Sequence, residues 1–248
     1  MTRKSQTALP SLTKLAGIAL AAAAFAAPAQ AAQIGFETGY SYPTGSGDTY
    51  VESGFQMRFE AYDVSDVGAA VGNFIDGSDP YPCVEMACPT NNSSMYYGAI
   101  NDSIVWIESA TAGGLFNFNS LDASFIGADA NLASYPVYPG FLRVQGFLAD
   151  GSSTYEDILF GRPGAGGFRF GTYDFSEVFS QTEFVAAALF AFACDAALDC
   201  QAFETNQGQF AIDNLDLNSL VEVPEPASAA IFGLGLMGLI TGARRRKA

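Results

Sequence analysis

Apolar and polar residues alternate through most of the middle of the chain. In "GFQMRFEAY" the alternation sets Phe55, Met57, Phe59 and Ala61 on one face and Gln56, Arg58, Glu60 and Tyr62 on the other. That is the pattern of a half-buried strand. "FLRVQGFLADGSSTYEDILF" reads as two strands around Ala149-Asp150-Gly151-Ser152, because Asp-Gly is a strong hairpin signal. "SIVWIES", "LFNFNSLDASF", "GFRFGTY", "EFVAAALFAFA" and "QFAIDNLDL" add further short, aromatic-rich runs, with Gly, Asn, Asp and Pro in the gaps. The alanines of "EFVAAALFAFA" also suit one helical turn, but Phe184, Val185, Phe190 and Phe192 favour a buried strand. Many short strands and no alternating helix–strand units predict an all-β fold, a single sandwich or jelly roll. Gly72 to Gly98, rich in Pro, Asn and Ser, reads as a long excursion between strands.

Two of the runs break step. In "FAIDNLDL", Phe210 and Ile212 share a face, but Leu215 and Leu217 fall on the other parity. In "FNFNSLDASF", Phe116 and Phe118 are followed by Leu121, Ala123 and Phe125. A parity slip inside a strand predicts a bulge, here at Asp213-Asn214 for the first run. "IGFETG" sets Glu37 on the expected first strand. Pairing of the first and last strands would bring it near Asp213 and Asn214.

The ends follow other rules. Arg3, Lys4 and Lys14 precede an apolar stretch from Leu15 to Ala27 and then Ala29-Gln30-Ala31, the layout of a secretory signal peptide cut after Ala31. At the other end Pro224, Glu225 and Pro226 precede the apolar run Ala227–Ala243, and Arg244, Arg245, Arg246 and Lys247 follow it. That run is barely long enough to span a bilayer, and the basic cluster favours a cytoplasmic end. Residues 1–31, 32–222 and 223–248 are therefore read as signal, folded domain and tail.

A plain membrane anchor needs no Pro-Glu-Pro. The order and spacing of the tail resemble the PEP-CTERM sorting signal of Gram-negative bacteria. The resemblance implies export by the Sec machinery, passage through the inner membrane, recognition by an exosortase and removal of the tail. It implies a destination at the cell surface or outside the cell. "FNFNSLDASF", "VQGFLADGS" and "FAIDNLDL", in that order, further resemble the jelly-roll domain common among PEP-CTERM proteins.

With both ends set aside, four arginines stand against 25 carboxylates, a net charge of −21. Nucleic acid as a partner is excluded, since it needs clustered bases. The four cysteines form two close pairs, Cys83/Cys88 and Cys194/Cys200. An exported chain with this spacing and no histidine predicts two local disulfides rather than a zinc site of four thiolates.

The lack of histidine removes His-based triads and the usual general base. "GRPGAGG" lacks the Gly-Lys-Ser/Thr ending of a phosphate loop. A non-enzymatic protein is expected. Ca2+ is the candidate cofactor, with Glu37, Asp213 and Asn214 as oxygen ligands, beside the plainer reading of these as turn and capping residues. Tyr96, Tyr97, Tyr135 and Tyr138, expected in loops, are candidates for stacking on sugar rings. The reading is an exported cell-surface or extracellular-matrix protein associated with the envelope or exopolysaccharide. Its alternative is a secreted carbohydrate-binding module, calcium-dependent or derived from a glycoside hydrolase.

Overall fold

The computed structural model describes residues 30–39, 43–63, 65–79 and 86–220. Among them, two seven-stranded antiparallel sheets enclose one core. Sheet A runs β11 (Gly171–Asp174), β8 (Phe116–Phe125), β14 (Phe210–Ser219), β6 (Met95–Ala99), β5 (Ala70–Asp76), β2 (Pro43–Gly45), and β1 (Gln30–Ile34) also pairs with β14. Sheet B runs β10 (Ser153–Phe160), β9 (Gly140–Phe147), β12 (Ala186–Cys194), β7 (Ile104–Ser109), β4 (Phe55–Glu60), β3 (Thr49–Glu52), with β13 (Cys200–Gln201) on the end of β12. The chain crosses repeatedly from one sheet to the other, and the fold is the expected all-β, jelly-roll-like sandwich.

Strand alternation builds the core. Phe116, Phe118 and Leu121 of β8 and Phe210, Ile212 and Leu215 of β14 share one fully buried cluster with residues of sheet B. Leu142 and Val144 of β9, Val105 and Ile107 of β7 and Leu189 of β12 are among the sheet B members. Each such side chain contributes about 1.5–3 kcal/mol on burial. The helical reading of the alanines fails because β12 is central in sheet B, paired to β9 and β7 at once.

Two polar details hold the ends of the sandwich. Ser176 caps the short helix α1 (Glu177–Ser180), its hydroxyl accepting from the Phe179 N–H at 3.2 Å, and Phe179 packs against Phe118 and Phe184. Asp102, only 2% exposed, accepts the backbone N–H groups of Thr205, Asn206 and Gly208 at 3.2, 2.8 and 2.5 Å. Gly208 must be glycine there, since a Cβ would stand 2.5 Å from the Ala191 carbonyl oxygen.

Both parity slips are bulges. Asp213 pairs with Asp122 and Asp216 with Ser120, so β14 has one extra residue there; Leu217 then pairs with Phe118, so β8 has one extra at Asn119. The second bulge cancels the first, which restores the inward set Leu215 and Leu217 opposite Phe118.

Three expectations are corrected. Strand β1 ends at Ile34, because Phe36 turns into left-handed backbone (φ 59°) and buries its ring, leaving Glu37 in an exposed turn. Tyr96 and Tyr97 belong to β6 rather than a loop and are 1% and 0% exposed. The excursion between β5 and β6 is residues 77–94, since Gly72 and Gly98 are themselves paired strand residues. The predicted cut after Ala31 falls inside β1 and leaves Ala32, Gln33 and Ile34 to pair with Leu217, Asp216 and Leu215.

No helix of the described residues is long and apolar enough to cross a membrane. The predicted span 227–243 and the residues Pro224, Glu225, Pro226, Arg244, Arg245 and Arg246 lie outside the described residues. So does Cys83; Cys88 is disulfide-bonded. Cys194 and Cys200 are bridged across the β12–β13 hairpin, as expected. This bridge closes a loop of a few residues, so replacing both cysteines with serine should cost about 2 kcal/mol or less. Urea unfolding checks this, and a larger loss would mean that the bridge holds more than its hairpin.

Candidate functional site

The bulge pair opens a polar depression on the outer face of sheet A. At this point β14 changes partners: Phe210, Ala211 and Ile212 pair with β6, and Leu215 onward pairs with β1. The depression has a volume of about 580 Å³ and is lined by Gln33 of β1, Ser120 and Asp122 of β8, Thr172 of β11, and Asn214 and Asp216 of β14. A smaller hollow of about 190 Å³ adjoins it, bounded by Asn91, Asn92 and Phe170 together with Asp122, Thr172 and Asn214.

Carboxylates and carboxamides tile this surface. Asn214 has left-handed backbone (φ 49°), which asparagine adopts more readily than most residues. Its side chain donates to Asp122 Oδ2 at 2.9 Å and accepts from the Gln33 amide at 2.9 Å, tying β1, β14 and β8 together. Thr172 donates to the other oxygen of Asp122 at 2.5 Å. Asn119, the bulged residue of β8, donates to Asp216 at 3.1 Å and accepts from Asn218 at 2.9 Å.

Asp213 is 1% exposed. Its Oδ2 accepts from Asn92 at 2.7 Å and Ser94 at 3.2 Å, and its Oδ1 from the Asn214 N–H at 2.7 Å. Burial pushes its carboxyl up to about 6, against the opposing pull of these donors, and the facing Asp122 adds to the rise. Asn92 and Ser94 come from the excursion, whose residues 86–94 fold back over this face. Ala87 bridges Gly127, Pro89 bridges Phe168, and Asn91 exchanges hydrogen bonds with Phe170. Beneath it Ile75, Cys88, Tyr96, Ile126 and Ala211 form a second small apolar cluster.

The structure thus joins Asp213 and Asn214 with Asp122, a partner 91 residues earlier in the chain, which no sequence pattern marks. Glu37 stands in its separate turn. No group of three or more His, Cys, Asp or Glu side chains placed to hold a metal occurs among the described residues. Of the tyrosines, Tyr97 donates or accepts one buried hydrogen bond with Thr44 at 2.9 Å and packs flat on Phe59. Tyr135 locks its own loop, its hydroxyl donating to the Asp129 carbonyl at 2.6 Å and its ring lying against Phe125 and Phe168. Tyr138, 41% exposed, is the only one of the four that offers its ring freely to solvent.

Two outcomes follow from this geometry. The fold holds the Asp213 proton more tightly than the unfolded chain does, because the folded value is raised. Its contribution therefore favours the folded state below about pH 4 and is lost as pH rises through 6. The span is on the order of 3 kcal/mol. In melts from pH 4 to 8, Asp213→Asn should gain on wild type as the pH rises, then run parallel to it above pH 7. A constant offset across the range would show that Asp213 titrates normally. At the bulge, Asn214→Gly should lose only the side-chain bonds to Gln33 and Asp122, about 1–2 kcal/mol, whereas Asn214→Val should lose roughly 1–3 kcal/mol more through its left-handed backbone. Equal losses in chemical denaturation would deny that the backbone conformation matters.

Comparison with known proteins places one further feature. The PEP-CTERM protein-sorting motif matches residues 222–247, three residues past the end of β14. No curated protein matches the chain in sequence. Among solved structures, the chain is similar to TmCBM61 in complex with β-1,4-galactotriose, at 9% identity and a TM-score of 0.35 over 75% of this chain and 94% of that one. It is similar to the CBM22-1 xylan-binding domain from Paenibacillus barcinonensis Xyn10C, at 8% identity and 0.32 over 77% and 93%. A DUF4465 family protein from Bacteroides ovatus aligns at 7% identity and 0.32 over 78% and 100%. Likenesses this distant do not bear on what the chain binds.

Proposed function

We propose that this chain, which ends in a PEP-CTERM sorting motif, is an exported protein that an exosortase trims and delivers to the cell surface or the surrounding matrix, where its domain binds rather than catalyses. The observation that carries the reading is the junction. The last strand, β14, is central in sheet A, and only Leu220 to Val223 separate it from Pro224. All the described strands of both sheets, and the core between them, are thus built from residues that precede the tail in sequence.

A binding role fits the chemistry of the domain. It has no histidine, and its buried carboxylates Asp102 and Asp213 are saturated by the protein's own N–H and O–H donors. Groups so engaged build structure and are poorly placed to move a substrate's proton. The net charge of −21 keeps the domain soluble and separate from anionic surfaces. Envelope or extracellular polysaccharide is the partner class that this composition suits.

Protein recovered from the envelope or medium should begin at Ala32 and lack Ala227–Ala248, which intact-mass measurement reads directly. Replacing Pro224 and Pro226 with alanine should leave uncut precursor in the inner membrane. A surface-located product that still carries the Arg244–Arg246 cluster would overturn the proposal.

A further inference from the structure

The outer face of sheet B is built unlike that of sheet A. A sheet with one solvated face ordinarily alternates apolar inside with polar outside. In sheet B the outward parity carries Trp106 on β7, Phe141 and Phe147 on β9, and Phe190 and Phe192 on β12, all partly exposed.

Small residues leave room for these rings to stack on one another. Strand β12 offers Ala186 and Ala188 between β7 and β9, and Trp106 and Phe147 stack across them with centroids 5.5 Å apart and planes 28° apart. Farther along, Phe141 and Phe192 stack at 4.3 Å and 14°. Arg143 lies 5.0 Å over the Phe192 ring and 3.9 Å over that of Tyr155, held there by two 2.8 Å bonds to Asp157. Arg58, over Trp106, is paired with Glu60. Both cations are thus neutralised in place.

Polar groups are set among the rings and are not confined to a rim. One cross-strand row reads Trp106, Ala188, Gln145, Tyr155, and the next reads Glu108, Ala186, Phe147, Ser153. Three strand spacings separate Trp106 from Tyr155, about 14 Å. Exposed apolar faces of this kind mark binding sites.

Charge and pattern choose the occupant. A second copy, or any polyanion, would bring its negative charge against a domain of −21. Protein interfaces deplete Glu, Asp and Ser from their centres, whereas Glu108, Ser153 and Asp157 stand within this face. Partly exposed aromatic rings interleaved with an amide and a hydroxyl suit a ligand whose own faces are C–H and whose edges are hydroxyl. We propose that the outer face of sheet B docks a neutral polysaccharide, with sugar rings lying on Trp106, Phe147 and Tyr155 and hydroxyls meeting Gln145 and Ser153. This rests on the reading of the domain as an extracellular binder and names its site.

Trp106 is the single tryptophan of the chain, so its emission reports on this face alone. The protein purified from the envelope in mild detergent, whatever the state of its tail, is titrated with hydroxyethylcellulose, xylan and galactomannan, and with alginate as a charged control. At least one neutral polymer should change the emission saturably, and alginate should not. Tyr155→Ala, on edge strand β10 at 54% exposure, should weaken that binding about three- to tenfold with an unchanged melting temperature. Silence with all three neutral polymers, an equal response to alginate, or wild-type binding by Tyr155→Ala would overturn the proposal. So would a concentration-dependent emission change without polymer, which would identify a second copy as the occupant. Intact mass, read on the same sample, tests processing separately, so the failure of either idea is visible apart from the other.

Discussion

The pairing of β14 governs sheet A. This strand meets β8 along its whole length on one side, and on the other it meets β6 with its first half and β1 with its second. A straight strand could not keep Leu215 and Leu217 in the core while setting Asp213 and Asn214 outside, because side chains alternate strictly. One extra residue in β14, offset by one in β8, solves the problem. The polar depression follows as its outer surface. The bulge turns Asn214 and Asp213 outward together, and burial of Asp213 beneath the excursion then raises its carboxyl.

That solution places two like charges, Asp213 and Asp122, directly opposite one another. Such a pair is ordinarily destabilising. Here the amides of Asn92 and Asn214 and the hydroxyl of Thr172 reach the two carboxylates. The domain has only four arginines, and those of sheet B are engaged on its outer face by Glu60 and Asp157. Carboxamides and hydroxyls therefore take the part that cations play in less acidic proteins. They satisfy acceptors without neutralising charge, which is why a raised carboxyl is the expected result of this design and a strong ion pair is not.

Features that depend on period two were legible in the sequence. They include the buried set of β4 and both bulges, while Asp-Gly marks the β9–β10 hairpin and the sandwich class, not alternation, points to the pairing of first and last strands. Legibility failed where one side chain or a distant partner decided the matter. Phe36 adopts positive φ in order to bury its ring, and no alternation rule shows that Glu37 thereby leaves the strand. Strand β6 is covered on both faces, so its tyrosines, flanked by Asn and Ser, read as loop residues although Tyr97 faces the core and Tyr96 the cover. In β12 both parities are apolar, Ala187, Leu189 and Ala191 on one and Ala186, Ala188, Phe190 and Phe192 on the other, so the sequence does not reveal which set faces water. Asp102 and Asp122 find their partners about a hundred residues away, beyond any local signal.

The pairing of β1 with β14 also links the two ends of the domain. Gln30 stands opposite Ser219 in register, so the strand that follows the predicted signal and the strand that precedes the sorting motif share one edge of contact. Neither strand can complete sheet A alone. β1 gains its hydrogen bonds only once the last residues of the domain have arrived. β14 in turn pairs with β8 and β6, both far earlier in the chain, the kind of long-range closure that makes such topologies slow to form. The predicted cut after Ala31 would shorten β1 to three paired residues, and what then holds it is Ile34 in the core and the Gln33–Asn214 bond across the bulge. The asparagine that shapes the bulge is thus also the residue that fastens the first strand to the last. The C-terminal motif lies directly beyond this joint, so a chain that has reached its sorting signal has also supplied the strand on which its own fold depends.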